Sequence, residues 1–134
     1  MCGIAGIFHL ETAKPVDPAR VRAMLDAMPH RGPDGSGVWT APGVGLGHLR
    51  LSIIDLAGGA QPMLTEDESL AVVFNGEIYN YVELRLDMGR VDFQTKSDCE
   101  PPLHLYFRHG LGFARHLRGM FAIAIHDPEE DCLV

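Results

Sequence analysis

Cys2, directly after the initiator methionine, is the side chain best suited by type and position to covalent chemistry. Methionine aminopeptidases remove Met1 when the next residue is small, and cysteine qualifies. The exposed residue then carries a thiol and a free α-amine together. With a pKa of about 7.7–8.0, such an amine is partly neutral near pH 7 and can take the proton of its own thiol. Thiolate attack on a carboxamide carbon would give an oxyanion, then a thioester and ammonia. By itself Cys2 reads equally well as a small buried residue opening a strand. An oxyanion needs donors: in FNGEIYN (74–80), Asn75 offers a carboxamide and Gly76 an unobstructed N–H. The competing reading of Asn-Gly is a plain hairpin turn. Arg50, set among leucines in HLRLSII, could fork onto a carboxylate or form an internal ion pair. Glu77 and Asp98 could receive an ammonium, or serve as a surface carboxylate and a helix cap.

Those residues need elements to position them. GIAGIF (3–8) reads as a short buried strand. Asp17-Pro18 predicts a capped helix with Val21, Met24, Leu25 and Met28 on one face, stopped by Pro29. HRGPDGSG (30–37) is dense in turn-formers and reads as a loop. Strands are expected at Gly37–Thr40, Gly45–Ile54, Leu70–Phe74 and Met120–Ile125, with another beginning at Asp131–Val134. The backbone is expected to turn sharply at FNGEIYN. Asn80 is expected to cap a helix bearing Tyr81, Leu84 and Met88. Ser97 or Asp98 is expected to cap one bearing Leu103, Tyr106 and Phe107, and a further short helix fits Leu111–Leu117. The order predicts an α+β fold with largely antiparallel sheets.

Composition narrows the function classes. At 134 residues the chain suits one domain. A net charge of −7 argues against nucleic acid and anionic membranes as partners, and no apolar run approaches the roughly 20 residues of a membrane span. The first residues carry no basic segment of a signal peptide, and three cysteines form no CxxC pair, so a cytoplasmic, reducing setting is expected. The seven histidines show no HxxxH or HExxH spacing, and no metal site is expected.

Taken in order, MCGIAGIF, HRGPDGSG, GHLRLSIIDLAGGAQPM, FNGEIYNY, KSDCE and LRGMFAIAIHD resemble the N-terminal glutaminase domain of glutamine-hydrolysing asparagine synthetases. These are class II glutamine amidotransferases with the N-terminal-nucleophile hydrolase fold. The resemblance implies a four-layer αββα sandwich of two antiparallel sheets. It implies Cys2 as nucleophile, Asn75 and Gly76 as the oxyanion hole, and Arg50 on the glutamine carboxylate. Glu77 and Asp98 would meet the ammonium, with Leu51 and Ile53 as backbone contacts to the substrate.

The same resemblance implies a glutaminase domain at 1–134 that is incomplete at its C-terminal end. The ATP-dependent synthetase domain, acting in cis or trans, is absent from this sequence, and ATP and magnesium are implied for that domain alone. A homodimer is compatible with the pattern. Cys99 stands where the family usually has threonine, the stretch before Asp98 is slightly short, and Pro101-Pro102 replaces aliphatic residues. Two other readings stand beside glutamine hydrolysis for asparagine synthesis: a non-catalytic fragment or interaction module, and the glutaminase of a related enzyme that amidates another carboxylate.

Overall fold

A computed structural model describes residues 2–10 and 14–134. Its strands form two antiparallel sheets. The first has the order β1 (Gly3–Phe8), β3 (Val44–Arg50), β2 (Gly35–Ala41). The second runs β4 (Met63–Leu64), β5 (Ala71–Ile78), β6 (Gly119–Asp127), β7 (Cys132–Leu133).

The helices cover the outer faces. α1 (Pro18–Asp26) lies on the first sheet, where Val21 and Leu25 are buried. A Cβ at Gly47 would come within 2.7 Å of Val21, so that glycine lets the helix sit close on β3. α2 (Tyr81–Met88) and α3 (Pro101–His109) cover the second sheet. They bury Leu84, Met88, Leu103, Leu105 and Tyr106 against Val72, Phe74, Ile78 and Ile125. Between the sheets, Val44 and Leu46 meet Ala71 and Val73. Alternation along β5 thus sends Ala71 and Val73 inward and Val72 and Phe74 toward the helices. The layers are the expected αββα sandwich.

Several boundaries differ from the sequence reading. α1 ends at Asp26, leaving Met28 outside it, because the residue before Pro29 is steered away from helical geometry. Met24 is half exposed and does not share the buried stripe. Pro29–Arg31 forms a 3-10 turn, and β2 begins at Gly35, inside the expected loop. β3 stops at Arg50, short of Ile54, because its neighbours run out there: Gly3 pairs with Leu49 and Gly35 with Arg50. β5 does not turn at Asn75-Gly76. It continues to Ile78, since β6 supplies a partner at every step down to Gly119.

The caps also differ. Asn80 does not cap α2; its amide donates to the His116 carbonyl at 2.9 Å and accepts from the Arg118 N–H at 2.8 Å. α3 has Glu100 at its N-cap position, with Pro101 and Pro102 in its first turn, where no N–H is needed. Neither Ser97 nor Asp98 caps it, and Phe107 is exposed. Gly110–His116 is a 3-10 segment, β7 holds only two residues, and β4, also two residues long, was too short for any periodicity to signal. No helix among the described residues is long and apolar enough to cross a membrane.

Candidate active site

Cys2 immediately precedes β1, and its side chain sits on the wall of a cavity of about 210 Å³. Its Sγ accepts the Leu51 N–H at 3.3 Å and lies 3.6 Å from the Leu51 carbonyl oxygen. Those bonds follow from the early end of β3: released from the ladder, Leu51 presents its backbone to the thiol instead of to a strand. The Cys2 carbonyl accepts two bonds from the Arg31 guanidinium, at 3.2 and 3.0 Å. Met1, whose removal the sequence reading requires, lies outside the described residues.

The opposite wall comes from β5 and from the segment before α3. Gly76, Glu77 and Asp98 line the cavity with Cys2, Leu51 and Ile53, joined by Gln61, Ser97, Cys99 and Met120. Gly76 has φ +153°, and a Cβ there would collide with the Met120 carbonyl. Only glycine fits this position without displacing β6. Along β5 the N–H groups alternate between β6 and the opposite edge. The Phe74 N–H, on that edge, goes to Gln61 Oε1 at 2.6 Å, and the Ile78 N–H goes to Asp98 Oδ2 at 2.9 Å. Gly76 lies between them, so its N–H points to the same edge, toward the cavity it lines.

Asp98 is buried, and its second oxygen lies 3.4 Å from the Ser97 hydroxyl that donates to it. Polar contacts hold the chain leading up to it. Glu100 accepts the Gln94 N–H, the Thr95 N–H and the Thr95 hydroxyl at 2.7–2.8 Å. Burial alone would raise the Glu100 carboxyl, but the bonds from His104, Thr95 and Gln94 outweigh it and hold the group down at about 2. Arg85 donates to the carbonyls of Ser97 and Thr95 and stacks over Phe93. Asp55 accepts the Lys96 N–H at 2.8 Å and the Gly58 N–H at 2.9 Å, and these bonds lower its carboxyl.

Two predicted residues are not on the cavity wall. Arg50, at the end of β3, donates to the carbonyls of Leu56 and Asp55. Among the described residues no carboxylate forms an ion pair with it, so the internal salt bridge is not what holds it. Asn75 stands in the ladder opposite Ala122, and its Oδ1 is buried without a hydrogen-bond partner.

Cys99 does reach the cavity, yet burial pushes its thiol up to about 12, so it stays protonated and unreactive. Arg31, Gln61 and Glu100 were not singled out from the sequence. Arg31 and Gln61 fall inside the quoted segments HRGPDGSG and GGAQPM, but no spacing rule assigned either a partner. Among the described residues no three His, Cys, Asp or Glu side chains converge as metal ligands.

Comparison with known proteins adds family and fold. A family model described as a glutamine amidotransferase domain matches residues 1–134. The chain is 44% identical over 133 residues to an asparagine synthetase [glutamine-hydrolyzing] 2 of Bacillus subtilis, covering 98% of this chain and 18% of that protein. It is 42% identical over 132 residues to asparagine synthetase B [glutamine-hydrolyzing] of Escherichia coli, covering 98% and 24%. With an asparagine synthetase of Asparagus officinalis it shares 41% identity over 134 residues, covering 100% and 23%. The chain thus spans between 18% and 24% of the length of these relatives. A solved structure of a glutamine phosphoribosylpyrophosphate amidotransferase from B. subtilis, complexed with ADP and GMP, superposes with a TM-score of 0.74. It is 21% identical, over 95% of this chain and 35% of that one, which establishes a shared fold.

Proposed function

Because this chain belongs to the glutamine amidotransferase domain family, we propose that it hydrolyses the side-chain amide of glutamine, with residues 1–134 acting as a glutaminase domain. Once Met1 is gone, the Cys2 α-amine takes the thiol proton and Sγ attacks the carboxamide carbon. The oxyanion is met by the Gly76 N–H and the Asn75 side-chain amide. Collapse of the intermediate breaks the C–N bond, and ammonia leaves with the proton returned by the amine. Water, activated by the same amine, then attacks the thioester and releases glutamate and the thiol.

Arg50 takes the substrate carboxylate, Asp98 and Glu77 take its ammonium, and the backbones of Leu51 and Ile53 complete the contacts. The ammonia passes to an ATP-dependent synthetase region, in cis or trans, that amidates aspartate to asparagine; ATP and magnesium serve that region. The three cysteines are free thiols, which suits a cytoplasmic setting, and a homodimer is compatible with the reading.

The observation that carries this proposal is the shared cavity: the Cys2 thiol, fixed by the Leu51 N–H at 3.3 Å, shares it with Gly76 and Asp98. The test uses diazo-oxo-norleucine, an electrophilic glutamine analogue, on Met1-free protein followed by peptide mass spectrometry. The adduct is expected on Cys2 and on neither Cys99 nor Cys132. Unmodified Cys2 in a folded, Met1-free sample overturns the proposal.

A further inference from the structure

We propose that His48 and Gln61 clamp the backbone of Phe74 and thereby set the distance between the oxyanion donors and Cys2, which makes both of them positioning residues for glutamine hydrolysis. The inference rests on the function proposed above. The site straddles two sheets: Cys2 and Leu51 directly adjoin the ends of β1 and β3 in the first, while Asn75 and Gly76 lie in β5 of the second. Elsewhere the contact between sheets is packing without hydrogen bonds between strands: Val44 and Leu46 meet Ala71 and Val73, and the His126 ring lies against Phe8 and Trp39. Such packing is non-directional and resists separation better than sliding. A reaction that needs its donors within a few tenths of an ångström requires something directional.

His48 supplies it. It lies on the same face of β3 as Val44 and Leu46 and is fully buried, and its Nε2 stands 3.2 Å from the Phe74 carbonyl oxygen. Among the described residues this is the one hydrogen bond running from a strand of one sheet to a strand of the other. A carbonyl only accepts, so Nε2 carries the proton and Nδ1 is left as a lone pair; that nitrogen is buried without a partner. An imidazole that brings an unpaired nitrogen into a core is poorly explained by stability alone. Burial holds its pKa down to about 4, against the pull of the Phe74 bond, so the ring stays neutral in the working range.

Gln61 completes the clamp from the other direction. β4 pairs Met63 with Val72, and continuing that register would set residue 61 opposite Phe74. The pairing ends at Met63, and the Gln61 side chain replaces the missing strand by accepting the Phe74 N–H at 2.6 Å. Both polar groups of Phe74 on this edge are therefore held by side chains. The carbonyl held by His48 shares its peptide plane with the Asn75 nitrogen, and Gly76 follows next in the strand.

The test measures ammonia release and Cys2 labelling in the protein at its natural length. His48→Leu and Gln61→Leu are each expected to lower kcat for glutamine roughly 10- to 100-fold, with KM held within about threefold. His48→Gln can still donate to the carbonyl and Gln61→Glu can still accept the N–H, so each is expected to recover most of kcat. Should a leucine variant fail to fold, His48→Asn or Gln61→Asn, one methylene too short to reach, takes its place. Folded variants with wild-type kcat overturn the clamp, as does a loss that the conservative variants do not restore. If the wild type itself neither releases ammonia nor labels at Cys2, the glutaminase reading fails first. A labelled, active wild type beside unaffected variants defeats the clamp alone.

Discussion

The two walls of the cavity are built differently. The wall carrying Cys2 belongs to a three-stranded sheet backed by the single helix α1, and its thiol is held by polar bonds from Leu51 and to the residue's carbonyl from Arg31. The wall carrying Gly76 and Asp98 is built from the four-stranded sheet and the segment before α3, backed by α2, α3 and a core from Met63 to Ile125. Apolar burial stabilises that second wall, while the first depends on where a few hydrogen bonds fall. Cys2 lies just outside the ladder, immediately before β1, and a few hydrogen bonds place its thiol. Gly76 sits mid-strand, where the ladder leaves little freedom, and Asp98 is tied to the end of that strand through the Ile78 N–H.

That contrast can be broken at either wall. Cys2→Ala should remove the reaction, lowering glutamine hydrolysis by at least about 10⁴-fold, while an unfolding curve moves by less than about 0.5 kcal/mol. A large stability loss instead would show that the first wall is structural. Gly76→Ala should damage both properties. Its positive φ and the collision with Met120 predict roughly 1–3 kcal/mol of destabilisation, and displacement of the donor predicts a kcat about 10²–10³-fold lower. A fully active, equally stable Gly76→Ala would refute this account of the second wall.

Leu103→Ala, far into the second core, should cost about 3 kcal/mol in urea unfolding and leave kcat per folded molecule nearly unchanged. The smallest effect concerns pH. The Glu100 carboxyl is held at about 2 when folded, below its ordinary 4.5, so its stabilising bonds are present in full above 4.5. They are lost as pH falls from 4.5 toward 2. Glu100→Gln should flatten the unfolding midpoint across that window, and an unchanged acid limb would show that the carboxylate does not secure the Asp98 segment.

Much of the architecture was legible because it rests on local signals. Asp17 accepts the Ala19 N–H at 2.9 Å as a cap should, and Val21, Leu25, Leu84, Met88 and Leu103 are buried where periodicity set them. Two misreadings share one cause. Asn-Gly at 75–76 looked like a turn, and Leu51–Ile54 looked like strand, because both outcomes are settled by neighbouring strands. β6 keeps the first extended, and the ends of β1 and β2 release the second. Asp98 resembled a helix cap, yet its carboxylate serves the Ile78 N–H twenty residues away.

The sequence by itself determined which chemistry is available: a cysteine whose own amine can become its base, an asparagine-glycine pair, and an arginine and carboxylates suited to an amino acid. Residue type carries that information, because the kind of ionisable group, the donor count and the side-chain size belong to the residue itself. Only the tertiary structure decided which of these groups share a cavity. It brought Cys2, Gly76 and Asp98 to one wall-lined space, turned Arg50 to the carbonyls of 55 and 56, and set His48 and Gln61 on the Phe74 backbone. The physical reason is that the site forms between two sheets. Their relative position is fixed by packing and by hydrogen bonds between residues far apart in the chain, which no local pattern encodes.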